Sequence, residues 1–212
     1  MMPLATLASV VLTCVCWLRI PRPRGAFWNR VGVLFLVALA VELNGTITWT
    51  MKVHNGWVYT LYQGIEVLLL MGIAHLTCPP LRKWTLPIAG TGALVLALDV
   101  RYLHSASLFA NTGIMICAVM LAIALLVLLW HRMEQLQGPV FADARIWLYL
   151  GMLLYFTALA PVMGSTEHIW RRYPRLAANL YVVIQVACVL RYLCAAAACL
   201  MAARQHHGRD PG

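Results

Sequence analysis

The chain has 212 residues, of which 62% are hydrophobic and only 11% charged, with a formal net charge of +9. A soluble domain carries about 25% charged and about 45–50% apolar residues, so this composition excludes a water-soluble fold and places most of the chain in lipid. The basic residues are scattered between apolar runs, which fits membrane orientation and lipid headgroups and speaks against nucleic-acid binding.

At about 20 residues per crossing, the apolar runs predict an all-α, polytopic membrane bundle of about seven transmembrane helices. It occupies residues 1–203 as one domain, and any site lies inside it or on its rims. Helix one is read at 2–19. No basic residue precedes it, so it lacks the charged start of a signal peptide and is expected to be retained. Arg19, Arg22, Arg24 and Arg30 follow, with Pro21 and Pro23 ending the helix. By the positive-inside rule this cluster is cytoplasmic, with the N-terminus out and the C-terminus in.

Helix two, at 31–51, carries Glu42 in mid-span, with Thr46 and Trp49 on its face. Thr46, Thr48 and Thr50 are expected to bond back to helix carbonyls. Helix three, at 57–77, takes up most of the stretch His54 to His75 and is the most informative. Tyr59, Tyr62, Gln63 and Glu66 follow the i, i+3, i+4, i+7 spacing of one helical face, and the other faces are Leu, Val, Ile and Met. A carboxylate at that depth costs at least about 2.5–3.5 kcal/mol on insertion scales, so Glu66 should face protein or water.

Cys78-Pro79-Pro80 ends helix three, and Arg82 and Lys83 mark a cytoplasmic turn. Helix four, at 84–100, contains Pro87, Gly90 and Gly92, which predict a kink. Asp99 is expected at the interface, paired with Arg101. Helix five, at 106–130, has Asn111 as its one strongly polar side chain, and the connection from His131 to Arg145 is the longest cytoplasmic one. Helix six, at 146–163, presents Trp147, Gly151 and Tyr155 on one face, where the glycine admits a close neighbour. Residues 165–175 read as an outer loop, with Trp170 and Tyr173 at headgroup level. Helix seven, at 176–203, carries Asn179, Gln185 and Arg191. Ala187, Cys188, Cys194, Ala195 and Ala198 near Arg191 form a surface of small residues. Residues 204–212 read as a polar cytoplasmic tail.

Ten basic residues then lie inside: Arg19, Arg22, Arg24, Arg30, Arg82, Lys83, Arg132, Arg145, Arg204 and Arg209. Five lie outside: Lys52, Arg101, Arg171, Arg172 and Arg175. Arg191 alone falls within a span. Pairing is the usual remedy for an intramembrane charge, so Arg191 is expected to meet Glu66, Glu42 or both.

Two readings of this constellation stand side by side. In one, Glu42, Tyr62, Gln63, Glu66 and Arg191 satisfy each other and fix helix register. In the other, they line a polar cavity, with Tyr59, that binds a small ligand or moves a proton or ion. The known chemistries of such bundles find no residues here. Retinal needs a lysine in the last helix, and the only lysines are Lys52 and Lys83. Haem needs facing histidines within the spans, and only His75 lies near one. The seven cysteines form no C-x-x-C or metal motif and read as small buried hydrophobes. His206-His207 has no third ligand nearby.

Asn55, Trp57, Tyr59, Tyr62 and Glu66, followed by Trp147, Gly151 and Tyr155, form a pattern that resembles a group of small uncharacterised bacterial inner-membrane proteins with about seven helices. The resemblance spans most of the chain. It implies the fold, the topology and the bacterial inner membrane, and no activity, substrate or cofactor.

The expectation is a non-enzymatic sensor or accessory subunit with a polar intramembrane pocket. The alternative is a small transporter or an ion or proton channel that uses Glu42 and Glu66. The expected partners are the lipid bilayer, a small ligand or ion, and another membrane or signalling protein to carry the output. No cofactor, metal or nucleic acid is expected.

Overall fold

The computed structural model describes residues 2–53, 55–103 and 110–207. Its described residues form seven α-helices and no strand: α1 (Met2–Leu18), α2 (Ala26–Thr50), α3 (Gly56–Thr77), α4 (Thr85–Leu98), α5 (Asn111–Glu134), α6 (Ala144–Arg172) and α7 (Pro174–His207). Six apolar stretches are long enough to cross a membrane, and α1 contributes a shorter one. The chain is an all-α bundle with the make-up of a multi-pass membrane protein.

Consecutive helices pack side by side, α1 also packs on α7, and α3 also packs on α5. The result is a closed ring of helices. Its core is aliphatic and aromatic, from Leu34 and Phe35 on α2 to Leu121 on α5 and Phe156 on α6. Leucine, isoleucine and tryptophan side chains such as Leu61, Leu68, Leu94, Ile123 and Trp130 point outward, as lipid requires.

Helix ends differ from the sequence reading where polarity and helix-breaking part company. Helix two was expected from residue 31 and begins at Ala26. This places Arg30 on the helix, where its guanidinium donates to the Gly72 carbonyl of α3. Helix six was expected to end at 163, before an outer loop at 165–175. Instead α6 continues to Arg172, and α7 starts at Pro174. No residue between Gly164 and Pro174 stops a helix, and the Ser165 hydroxyl bonds back to the Pro161 carbonyl at 2.7 Å. Proline suits a helix start, because its missing N–H has no partner there anyway. At 29 and 34 residues, α6 and α7 are about 44 and 51 Å long, so both outlast a hydrocarbon core of about 30 Å. The tail expected from 204 is likewise helical to His207, with residues 208–212 outside the described set.

Helix four shows the same lesson in reverse. Pro87 falls in the first turn of α4, where its missing N–H has no intrahelical acceptor to lose. The irregular backbone lies at the other end, in a π-helical turn over Asp99–Leu103. Asp99 is buried there, and its carboxylate accepts the Gly113 N–H in the first turn of α5. It caps a neighbouring helix, with its negative charge at the positive end of the α5 dipole. Residues 106–109 of the expected helix five lie outside the described residues.

The helix ends divide into two sets. One end, the basic end, holds the C-termini of α1, α3, α5 and α7 with the arginines of 19–30, Arg82, Lys83, Arg132 and Arg145. There Asp143 caps α6 by accepting the Arg145 N–H at 2.7 Å and pairs with Arg132. The far end holds the α2–α3 turn, the π-helical turn and the α6–α7 junction.

Candidate functional site

Glu66 is the eleventh residue of α3, about 15 Å from its start and at mid-depth. Arg191 sits at the matching depth of the apolar stretch Asn179–Gln205. The two meet in the interior, Arg191 Nη2 to Glu66 Oε1 at 2.5 Å, with exposures of 1% and 0%. Those exposures make this a fully desolvated ion pair, which survives only with additional hydrogen bonds. Tyr62 provides them. Its hydroxyl accepts from Arg191 Nη2 at 2.7 Å and donates to Glu66 Oε1 at 3.0 Å. Aromatic rings surround the cation: the guanidinium carbon lies 4.6 Å from the Tyr155 ring centre and 5.1 Å from that of Tyr192.

Gly151 makes this approach of α6 to α7 feasible. A β-carbon there would lie 2.6 Å from Cys194 Cβ and 3.1 Å from the Arg191 carbonyl oxygen. On the α1 side, the Thr13 hydroxyl reaches the Tyr192 carbonyl at 2.8 Å, and its other acceptor is the Ser9 carbonyl at 2.9 Å. The turn that bears Arg191 is thus held by α1, α3 and α6 together.

Of the six residues read as site candidates, Tyr62, Glu66 and Arg191 are directly bonded. Gln63, the residue after Tyr62 on α3, is buried, and among the described residues its Nε2 meets no acceptor. Glu42 lies within electrostatic reach of both Arg191 and Glu66. Its bonded neighbour is Cys188, whose thiol lies 3.9 Å from Glu42 Oε1. Tyr59 stands one step further out. Its hydroxyl rests on Gly45 of α2, and it interacts with Glu42 and with the Asn55 side chain. Asn55 Nδ2 then donates to Thr48 Oγ1 at 2.6 Å, and Thr48 bonds back to the Asn44 carbonyl at 2.8 Å. Thr46 similarly returns to the Glu42 carbonyl at 2.8 Å.

These contacts draw a polar line from the Arg191–Glu66 pair, past Cys188 and Glu42, to Tyr59 and the α2–α3 turn at the far end. Among the described residues, no buried charged side chain continues it the other way, where the polar contacts are local ones such as Arg30 with the Gly72 carbonyl, and the Tyr149 hydroxyl with Thr77 Oγ1 at 3.4 Å. Towards the basic end the interior is filled by Leu34, Val31, Leu70, Ile73, Ala195 and Ala198, all buried, and no buried acidic or basic side chain is described there.

Cys188, Tyr155 and Tyr192 belong to the site and were not singled out as such. Cys188 was legible as the residue one turn before Arg191 on the same face. Tyr155 was legible as the partner of Gly151 on a packed face. Trp147, which shares that face by spacing, instead donates its indole N–H to the Phe141 carbonyl at 2.9 Å.

Among the described residues, four buried polar atoms of the ion pair and of Gln63, one position along α3 from Tyr62, have no hydrogen-bond partner: Gln63 Nε2, Glu66 Oε2, Arg191 Nε and Arg191 Nη1. Three are donors and one is an acceptor. Among the described residues no cluster of three His, Cys, Asp or Glu could hold a metal ion. Tyr62→Phe removes one acceptor from Arg191 and one donor to Glu66. It is expected to lower stability by about 1.5–3 kcal/mol, the usual range for a hydrogen bond to a charged group, read by denaturant unfolding in detergent.

The fold and the buried ion pair define a multi-pass helical membrane protein with a charged intramembrane centre. In comparisons with known proteins, no family model, no curated protein and no solved structure matches the chain.

Proposed function

We propose that the chain is a seven-crossing protein of the bacterial inner membrane, N-terminus out, acting as a sensor or accessory subunit. In this reading its polar centre binds a small molecule that offers hydrogen-bond acceptors and enters from the far end. The supporting observation is the surplus of unmatched donors at the centre. Burying an unmatched polar group costs about 1–3 kcal/mol, so three donors against one acceptor favour an acceptor-bearing guest. The one-sided polar line supplies the route of entry. The output passes through a partner, by the connection between α5 and α6.

The second reading is a transporter or channel that uses Glu42 and Glu66, favoured by the reach of the polar line to the rim. The apolar packing towards the basic end weighs against it, because a conducted ion needs polar groups on both sides of the centre. Proton and ion flux into proteoliposomes separates the two. The sensor reading expects no flux above that of empty liposomes. Flux that vanishes in Glu66→Gln, with the bundle still folded, would establish the transporter.

A further inference from the structure

At the basic end, the turn between α3 and α4 borders an open depression of about 610 Å3 lined by His75, Pro79, Pro80, Arg82 and Lys83. We propose that it binds the phosphate group of an anionic lipid headgroup. A circuit of hydrogen bonds holds the turn. The Thr85 hydroxyl donates to the Arg82 carbonyl at 2.9 Å, which spends its only proton. Its contact with His75 Nδ1 at 3.1 Å therefore has the imidazole N–H as donor. That leaves His75 Nε2 with a free lone pair, and it accepts the Arg82 Nε–H at 3.2 Å. The histidine thus acts as a strut that fixes the guanidinium of Arg82, which lines the depression, by its inner nitrogen and leaves the two Nη groups uncommitted to it.

No acid balances this charge. Among the described residues Arg82 and Lys83 make no ion pair, and no carboxylate lines the depression. A guanidinium with free Nη groups beside an ammonium suits a phosphate oxyanion, the guanidinium by paired hydrogen bonds and the lysine as a point charge. A lipid source follows from the depth. Just beyond on the chain, Trp84 and Leu86, on either side of the buried Thr85, are 54% and 81% exposed and stand at the start of an apolar helix. An aromatic ring at headgroup level with an aliphatic side chain beyond it matches the boundary where a lipid phosphate lies.

The test uses the full chain in detergent micelles, with lipid binding read by native mass spectrometry. Phosphatidic acid is expected to bind about tenfold more tightly than phosphatidylcholine. The double variant R82Q/K83Q should lose that preference. His75→Ala should lose about half of it on a logarithmic scale, since it releases the strut and keeps both charges. Lys52→Gln at the far end should change nothing. Unfolding curves of all variants confirm that the exposed substitutions leave the bundle intact. Equal binding of the two lipids, or an unchanged preference in R82Q/K83Q, overturns the proposal. Displacement of phosphatidic acid by an equal concentration of inorganic phosphate overturns the lipid source and leaves a free-phosphate site.

Discussion

Replacing Arg191 with methionine is expected to lower the unfolding free energy by about 3–5 kcal/mol, the range for a buried ion pair that loses one partner. The magnitude follows from what remains. Glu66 is 0% exposed, and Tyr62 alone still donates to it. Without the guanidinium, one carboxylate oxygen keeps a neutral donor and the other keeps none. Arg191→Lys should recover only part of the loss, because a point ammonium cannot bond Glu66 and Tyr62 in the planar geometry of the guanidinium. The double variant Arg191→Met with Glu66→Leu should recover most of it, since an apolar replacement of a whole buried pair is often neutral. Denaturant titration of the native chain, Arg191→Met, Glu66→Leu and the double variant gives the coupling energy directly. If the single and double variants are equally destabilised, the ion pair is not what holds α3 to α7. If the double variant is as stable as the native chain, a structural role alone does not account for the charges, and the ligand reading gains weight.

The ion pair was legible in the sequence for a physical reason. Charge within an apolar span is so costly that Glu66 and Arg191 each demand a partner, and few partners exist at that depth. Which acid Arg191 takes was not legible. Glu42 and Glu66 are both near mid-span, and only the packing of α3 in the ring brings Glu66 into direct contact while Glu42 meets Cys188. The number and order of the helices could be read from apolar runs, because lipid leaves the chain no alternative. Their ends were harder. Polarity marks where lipid stops, whereas helix termination needs a stop residue, so α6 runs past its apolar stretch to Arg172. Asp99 shows a further limit. Two residues before Arg101 it reads as an interfacial residue paired with that arginine, yet it is buried in the π-helical turn and caps α5.

Gly151 carries the second large effect. Two opposed terms act on Gly151→Ala. Within a helix, alanine gains about 1 kcal/mol over glycine. Against that, the new β-carbon would lie 2.6 Å from Cys194 Cβ and 3.1 Å from the Arg191 carbonyl oxygen. Both obstacles are rigid, one a β-carbon and one backbone, so neither can rotate away and α7 itself must move. Overpacking of this kind costs about 1–3 kcal/mol and outweighs the propensity gain. Gly151→Leu should cost more, because its branch must pass the same backbone. The displaced segment is the turn that bears Arg191, so the shift also opens the contact with Glu66 and moves Tyr155 off the guanidinium. Cys194→Gly combined with Gly151→Ala removes the shorter contact and leaves the 3.1 Å one, so partial recovery in an unfolding titration is the expected result. Full stability in Gly151→Ala alone would mean that α6 and α7 pack less tightly than these distances require, and that Arg191 is held in place by α1 and α3.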